Sequence, residues 1–261
     1  VSETYYAMVH KPIPIPKAMK IPDALKAVNK EWEKLDGIPA WIVKLVKPRA
    51  WVIQNAKDLK KKVHFGHIMP LCHQKNAELE EALRSYKGRV VFRGDDVKDE
   101  NGQYAVFSEQ GTSASHMAQT KIIDFWAHLE GHAGEDSDAI MAFTQMPFDD
   151  AVRLLGIDVM PETWITLPKN RQPDSWKGIE DPVCQLTQNL YGHPLAGLLW
   201  DKGSQEKVLS CGFVKVQGWE SLCCHHELKI MLSVYVDDFH MAVPKENLKP
   251  MWAKLRETMA L

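Results

Sequence analysis

The chain has 261 residues, of which 45% are apolar and 25% charged, as in an ordinary globular protein with one large or two smaller domains. The sequence has no run of about 18 apolar residues, so no membrane span is predicted. It does not open with a charged segment followed by an apolar one, so no secretory signal is predicted. The formal net charge of −2 divides unevenly, since residues 1–98 hold 19 Lys and Arg against 11 Asp and Glu, and the remainder holds 13 against 23.

The first half of the chain mixes helical and extended patterns. The Pro-rich segment at residues 1–17 is expected to be extended, and apolar residues spaced by three and four predict a helix over 18–36. Residues 40–46 and 50–53 have the pattern of strands. The polar stretch 57–86 is helix-prone.

The second half ends in the clearest hairpin pattern of the chain. A helix is predicted over residues 113–130, and strand signals follow at 157–167. A helix over 195–209 follows a proline, a residue well placed in the first helical turn. The apolar, β-branched run 228–236 resumes at 239–243 after two Asp residues, which predicts a hairpin with two carboxylates at its tip.

Asp237 and Asp238 are the sharpest chemical feature of the sequence. Asp is depleted in strands, and adjacent carboxylates repel each other unless a cation neutralises them. A rigid hairpin tip suits a hard cation such as Mg²⁺, which takes one or two carboxylates and completes its shell with water and phosphate. Asp138, about 100 residues earlier, is a candidate third ligand of a two-metal site. An Asp-rich turn and a helix N-cap are the ordinary structural alternatives.

A short strand predicted at residues 89–92 carries basic side chains on one face. Lys87, Arg89 and Arg93 recur with a period of two, so their side chains point the same way. Phosphate oxygens are natural partners, because Arg contacts them in a bidentate manner and Lys acts as a point charge. A solvated edge strand is the alternative that needs no ligand.

Taken in order, these features resemble the reverse transcriptase of copia-type LTR retrotransposons. Residues 86–94 match that family's Tyr-Lys-x-Arg-Leu-Val-x-Arg-Gly stretch, and Asp138 precedes an Ala-Phe pair, as the family's first catalytic Asp does. Leu-Tyr-Gly stands at residues 190–192, and Tyr-Val-Asp-Asp at 235–238 is the family's second catalytic block. The resemblance spans roughly residues 18–245.

The resemblance implies an α+β fold with the fingers and palm of a right-hand polymerase, in which helices back an antiparallel palm sheet. Residues 18–110 would form the fingers and 111–261 the palm, behind the extended segment 1–17. The chain begins with Val and ends about twenty residues after Asp238, so we expect a piece of a Pol polyprotein without its thumb. Integrase and ribonuclease H domains are expected to flank this piece in the full polyprotein.

The same resemblance implies an RNA-directed DNA polymerase that extends a DNA primer on an RNA template with dNTPs. Asp138, Asp237 and Asp238 would be the catalytic residues and would bind two Mg²⁺ ions, for which Mn²⁺ can substitute. Asp138 and Asp237 would bridge the ions, and Asp238 would support them.

Five further residues would contact the nucleotide or the primer, again by resemblance. Phe143 would pack under the incoming sugar and exclude a 2′-hydroxyl group. Lys87 would contact the triphosphate, with Arg89 and Arg93 as additional candidates. Tyr235 would lie near the primer end.

Two departures from the family pattern leave alternatives open. After Leu-Tyr-Gly the family has Leu-Lys-Gln, whereas this chain has Leu195 in the place of Gln, and residues 57–85 do not follow the usual short hairpin. One alternative is an inactive or repurposed retroelement fragment that binds nucleic acid without polymerising. The other is an unrelated metal-dependent hydrolase that uses the same carboxylates.

Cysteine usage and charge bear on compartment and partners. Five cysteines with irregular spacing indicate a reducing compartment. The Cys-Cys-His-His run at residues 223–226 lacks the separated pairs of a zinc site, since strand neighbours face opposite ways. The resemblance implies an intracellular location, cytoplasmic in virus-like particles or nuclear. The basic front favours a polyanionic partner and the acidic remainder favours divalent cations, unless both are simply solvated surfaces.

Overall fold

The structure is a computed structural model that describes residues 9–107 and 117–261. Helices and strands are mixed, with the strands in two sheets, so the predicted α+β class is confirmed. The α-helices of the described residues are α1 (Ile15–Ala18), α2 (Pro22–Asp36), α3 (Arg49–Asp58), α4 (Met117–Ala127), α5 (Ala151–Leu155), α6 (Ala196–Ser210) and α7 (Lys245–Thr258). The strands are β1 (Lys11–Pro12), β2 (Lys47–Pro48), β3 (Val63–Lys75), β4 (Ser85–Phe92), β5 (Lys98–Asp99), β6 (His132–Asp138), β7 (Glu162–Thr166), β8 (Pro182–Gln185), β9 (Val214–Lys215), β10 (Leu222–His225), β11 (Ile230–Tyr235) and β12 (Asp238–Pro244).

The chain divides into two compact units, each with its own sheet. The first unit is Val1–Val106 with Pro161–His193, and the second is Phe107–Met160 with Pro194–Leu261. The predicted boundary at residue 110 lies close to the division after Val106. The predicted palm over 111–261 was continuous, however, whereas residues 161–193 belong to the first unit, because β7 forms a parallel ladder with β3.

The sheet of the first unit is built around β3. This strand pairs with β4, β1 and β5 in antiparallel fashion and with β7 in parallel, and β8 and β2 extend the sheet beyond β7. Helix α2 packs on β4. The two backbones are so close that a Cβ on Gly88 would lie 2.5 Å from the carbonyl oxygen of Ala27, which only glycine avoids.

Local pattern gave several wrong expectations in the first unit. The helix predicted over 18–36 is present as α2, which begins only at Pro22, and Ala18 belongs to α1. Since α1 begins at Ile15, residues 15–17 are not extended as predicted, and residues 1–8 of that predicted segment lie outside the described part of the chain. The strand predicted at 50–53 is part of α3, because Val52 and Ala56 are one helical turn apart and both enter the core of this unit. The strand predicted at 40–46 is a short 3₁₀ turn and loop.

The stretch 57–86 was predicted to be helical, and its longest element is a strand. β3 occupies 13 residues of it, and the helical parts are the last two residues of α3 and a single 3₁₀ turn at Glu81–Leu83. Val63 and Phe65 enter the core at alternate positions, and β3 pairs with four other strands, so non-local pairing overrides the weak helical propensity.

The sheet of the second unit is antiparallel throughout, in the order β6-β12-β11-β10-β9. Helices α4 and α7 both pack on β6 and β12. Ile123 of α4 meets Leu222 and Ala242 in an apolar cluster, and Trp252 of α7 is buried. An antiparallel sheet with helices packed on it, as predicted, is therefore present in this unit.

Several elements of the second half match the predictions, whereas β6, which carries Asp138, was not predicted. The hairpin is formed by β11 and β12, the helix predicted over 195–209 is α6, and the strand signals at 157–167 contain β7. The helix predicted over 113–130 is seen as α4, and its first four residues lie outside the described part of the chain. No helix of the described residues is long and apolar enough to span a membrane.

Candidate metal and nucleotide site

The hairpin of β11 and β12 ends in a two-residue turn formed by Val236 and Asp237. Val236 has a φ of 55°, a left-handed conformation that is rare for a β-branched residue. Both carbonyl oxygens of the turn are anchored. That of Asp237 accepts a hydrogen bond from the backbone nitrogen of Ala139 at 2.7 Å, and that of Val236 accepts one from the indole nitrogen of Trp200. Asp237 is therefore held on a strained but tethered loop.

Asp138 and Asp238 face each other on neighbouring strands. Asp138 ends β6, Asp238 begins β12, and the two are direct partners in the antiparallel register. Such partners place their side chains on one face with Cβ atoms about 5 Å apart, and here the carboxyl groups are hydrogen-bonded. Partial burial, and then the charges of Asp237 and Asp138, raise the pKa of Asp238. Ionising both groups is costly unless a cation lies between them.

A cavity of about 490 Å³ opens beside Asp138 and Asp238. Its volume is in the range of small-molecule sites, roughly 300–1,000 Å³. It is bounded by the first turn of α4 and by β6, β11 and β12. The lining residues are Met117, Thr120, Asp136, Asp138, Ser233, Tyr235, Asp238, Phe239 and His240. Three carboxylates and three hydroxyl groups make this an acidic cavity that is suited to a cation and its ligands.

The donor chemistry of the site fits Mg²⁺. Asp138, Asp237 and Asp238 offer only hard oxygen ligands. Partial burial first, and then repulsion by Asp237 and Asp138, raises the pKa of Asp238, and a cation would relieve the repulsion. Within residues 9–107 and 117–261, no three His, Cys, Asp or Glu side chains form a preformed metal cage. Mg²⁺ sites seldom need such a cage, because water and substrate phosphate commonly complete the shell.

His240 contacts two Asp side chains that the sequence pattern does not place beside it. Its Nδ1 contacts a carboxylate oxygen of Asp136, and its Nε2 lies 3.3 Å from a carboxylate oxygen of Asp124 on α4. The sequence pattern assigns no role to any of these three side chains. The side-chain alternation along a strand could have indicated these contacts. Asp136 is two residues before Asp138, and His240 is two residues after Asp238, so all four side chains share one face of the sheet.

The two aromatic candidates of this unit line different cavities. Tyr235 is 51% exposed and borders the cavity of Asp138 and Asp238. Phe143 borders a much smaller cavity of about 20 Å³ together with Trp200 and Val236. The predicted contacts of Tyr235 with the primer and of Phe143 with the sugar stay predictions.

The basic candidates belong to the first unit. Along β4, Gly88, Val90 and Phe92 are buried, and Lys87 and Arg89 point to the opposite, more accessible face, in agreement with the period of two. The Lys87 side chain is exposed. The contact of these residues with a triphosphate stays a prediction.

Two of the basic side chains have partners within their own unit. The guanidinium carbon of Arg89 lies 4.9 Å from the ring centre of Tyr191, at cation–π distance. Arg93 follows the end of β4 and forms an ion pair with Asp95 at 3.0 Å. Both side chains of that pair are well exposed, so it adds little to stability and leaves Arg93 able to exchange Asp95 for another anion.

Comparison with known proteins assigns no family to the chain, because no protein-family model matches it and no curated protein matches it.

Proposed function

We propose that this chain is the fingers and palm of a copia-type reverse transcriptase, an RNA-directed DNA polymerase that adds dNTPs to a primer 3′-hydroxyl group. The main support is the direct cross-strand pairing of Asp138 with Asp238, with Asp237 in the adjoining turn. Residues about 100 positions apart in the sequence thus supply three carboxylates at one end of an antiparallel sheet.

Asp138 and Asp237 would hold two Mg²⁺ ions, and Asp238 would support them. When bound, the ions lower the pKa of the attacking hydroxyl group and stabilise the leaving pyrophosphate. The protein's part is to fix the carboxylates. β6 carries Asp138 on a regular strand, and the tethered turn limits the freedom of Asp237.

The other assigned side chains would bind and orient the nucleotide. Lys87, with Arg89 and Arg93 in support, would contact the triphosphate, because cationic groups on one strand face suit its closely spaced charges. Tyr235 would lie against the primer end and Phe143 against the incoming sugar. Template and primer would be bound mainly through backbone phosphates, as is usual for nucleic-acid enzymes.

A second candidate is a retroelement fragment that binds nucleic acid without polymerising. Leu195 favours it, because this side chain is only 8% exposed at the start of α6 and provides no polar group where the family has Gln. The retention of all three Asp residues favours the polymerase.

Primer extension distinguishes the candidates. Poly(rA) template, oligo(dT) primer and dTTP with Mg²⁺ or Mn²⁺ are incubated with the parent, with Asp138→Asn, with Asp237→Asn and with Asp158→Asn as control. Asp158 is an exposed loop carboxylate outside the cavity. We expect extension by the parent and the control, and a loss of about 100-fold or more in the two site variants, because metal ions contribute several kcal/mol to such transition states.

Two other results would overturn the polymerase. Binding of the RNA–DNA duplex by the parent without extension, also with the family's thumb added to the chain, would favour the second candidate. Cleavage of the template without any dNTP would instead favour a hydrolase.

A further inference from the structure

The turn that carries Asp237 has a backbone conformation that its own residues do not favour. Val236 has a φ of 55°, where a β-branched side chain crowds its own backbone. Val236 is 38% exposed, so its side chain is not fully packed against the core. The conformation must therefore be imposed by groups outside the turn.

Trp200 is the side chain that reaches this turn. It projects from the second turn of α6, is 1% exposed, and donates its indole N–H to the carbonyl oxygen of Val236. A buried indole N–H needs an acceptor, and a carbonyl in a strained turn needs a fixed donor, so the bond satisfies both groups.

The indole has little room to move. It borders a cavity of about 20 Å³, which is space for a single water molecule at most. The same helix is tightly packed one turn later, where a Cβ on Gly203 would lie 2.2 Å from the Sδ atom of Met146. Trp200 therefore presents its N–H from a helix that packs closely on its neighbours.

We propose that Trp200 is a positioning residue of the metal site: its N–H holds the Val236 carbonyl, keeps the turn in its left-handed conformation and so fixes the carboxylate of Asp237. This inference rests on the metal site of the proposed function. It assigns to α6 a part in catalysis that touches neither substrate nor metal.

Mn²⁺ binding tests this without any nucleic acid. Free Mn²⁺ is measured by electron paramagnetic resonance in titrations of the intact chain and its variants. Trp200→Phe keeps an aromatic ring and removes the donor, so we expect the Mn²⁺ dissociation constant to rise about 10-fold, as for the loss of one buried hydrogen bond.

The matched control is Trp252→Phe. Trp252 is also 1% exposed and lies in the same unit, but its indole nitrogen has no hydrogen-bond partner among the described residues. This variant should lose packing without changing Mn²⁺ affinity. An equal loss of affinity in both Trp variants would reduce Trp200 to a packing residue.

A double variant separates positioning from packing. Glycine adopts positive φ without strain, so Val236→Gly removes the need for an external anchor. Trp200→Phe combined with Val236→Gly should bind Mn²⁺ several-fold more tightly than Trp200→Phe alone. No recovery would overturn the proposal. If Mn²⁺ binding follows this pattern but the parent extends no primer, the positioning role stands and the polymerase fails.

Discussion

Asp238 lies beside two further carboxylates, and partial burial together with the charges of Asp237 and Asp138 raises its pKa. A raised pKa means that the folded chain binds this proton more tightly than the unfolded chain does. The stability that this group contributes is therefore fully present below the ordinary Asp pKa and is lost as the pH rises through the raised value. At neutral pH the ionised group works against folding, as is common at functional sites.

Asp238→Asn should accordingly stabilise the protein at pH 7 in the absence of divalent cations. The gain should stay below about 1 kcal/mol, because the side chain is exposed and solvent screens its charge. It should shrink as the pH falls through the raised pKa and disappear below the ordinary Asp pKa, where the parent carboxyl is protonated in both the folded and the unfolded chain. Urea unfolding across this pH range measures the effect, with Asp158→Asn as a control that should stay within about 0.5 kcal/mol of the parent. A destabilised Asp238→Asn at pH 7 would contradict the electrostatic account.

Local pattern predicted the hairpin tip of the site, and Asp138, about 100 residues earlier, was assigned to it with the support of the family resemblance. Two adjacent Asp residues that follow an apolar, β-branched run are enough to indicate the hairpin tip. The contacts of His240 with Asp136 and Asp124 depend on the register of β6 against β12 and on the docking of α4. Register and docking are tertiary properties that local pattern does not contain.

At the scale of elements, the Leu-Tyr-Gly segment is joined to β4. The backbone nitrogen of Phe92 donates a hydrogen bond to the carbonyl oxygen of Tyr191 at 2.8 Å. Gly192 has a φ of 86°, and a Cβ there would lie 2.2 Å from the carbonyl oxygen of Phe92. Glycine is thus required both by the backbone conformation and by the closeness of the strand.

Gly192→Ala should destabilise the first unit more than Gly102→Ala does. Gly102 has a similar φ of 78° but nothing within 4 Å of its added Cβ, so it measures the conformational cost alone, about 1 kcal/mol. The backbone clash at Gly192 should add roughly 1–3 kcal/mol. Denaturant unfolding of both variants gives the comparison, and equal losses would show that the segment can move away from β4.

Elements whose own sequence has a strong periodic pattern were predicted. Elements whose conformation depends on pairing with distant strands were not. The spacing of Val28, Trp32 and Leu35 is sufficient for α2, and all three side chains are buried. The segment around Trp51 was predicted to be a strand and is part of α3, because a short apolar run fits a strand or a helix equally well. Strand β3 was missed because its sequence is partly polar. Its extended conformation depends on pairing with four other strands, which local pattern does not show.

At the scale of the whole molecule, the charge division seen along the chain persists, less sharply, between the two units. The first unit has 22 Lys and Arg against 17 Asp and Glu, and the second has 10 against 17. The basic unit contains Lys87, Arg89 and Arg93, which we assign to nucleotide phosphate. The acidic unit contains the three carboxylates, which we assign to metal, so charge and assigned chemistry agree in each unit.

The most direct test of the metal site compares Mn²⁺ binding by the intact parent chain, Asp138→Asn, Asp237→Asn and Asp158→Asn, followed by electron paramagnetic resonance. The account predicts equal affinity for the parent and Asp158→Asn. The two site variants should bind at least about 10-fold more weakly, because each loses a charged ligand. Equal Mn²⁺ affinity in all four proteins, or no binding by the parent, would contradict it.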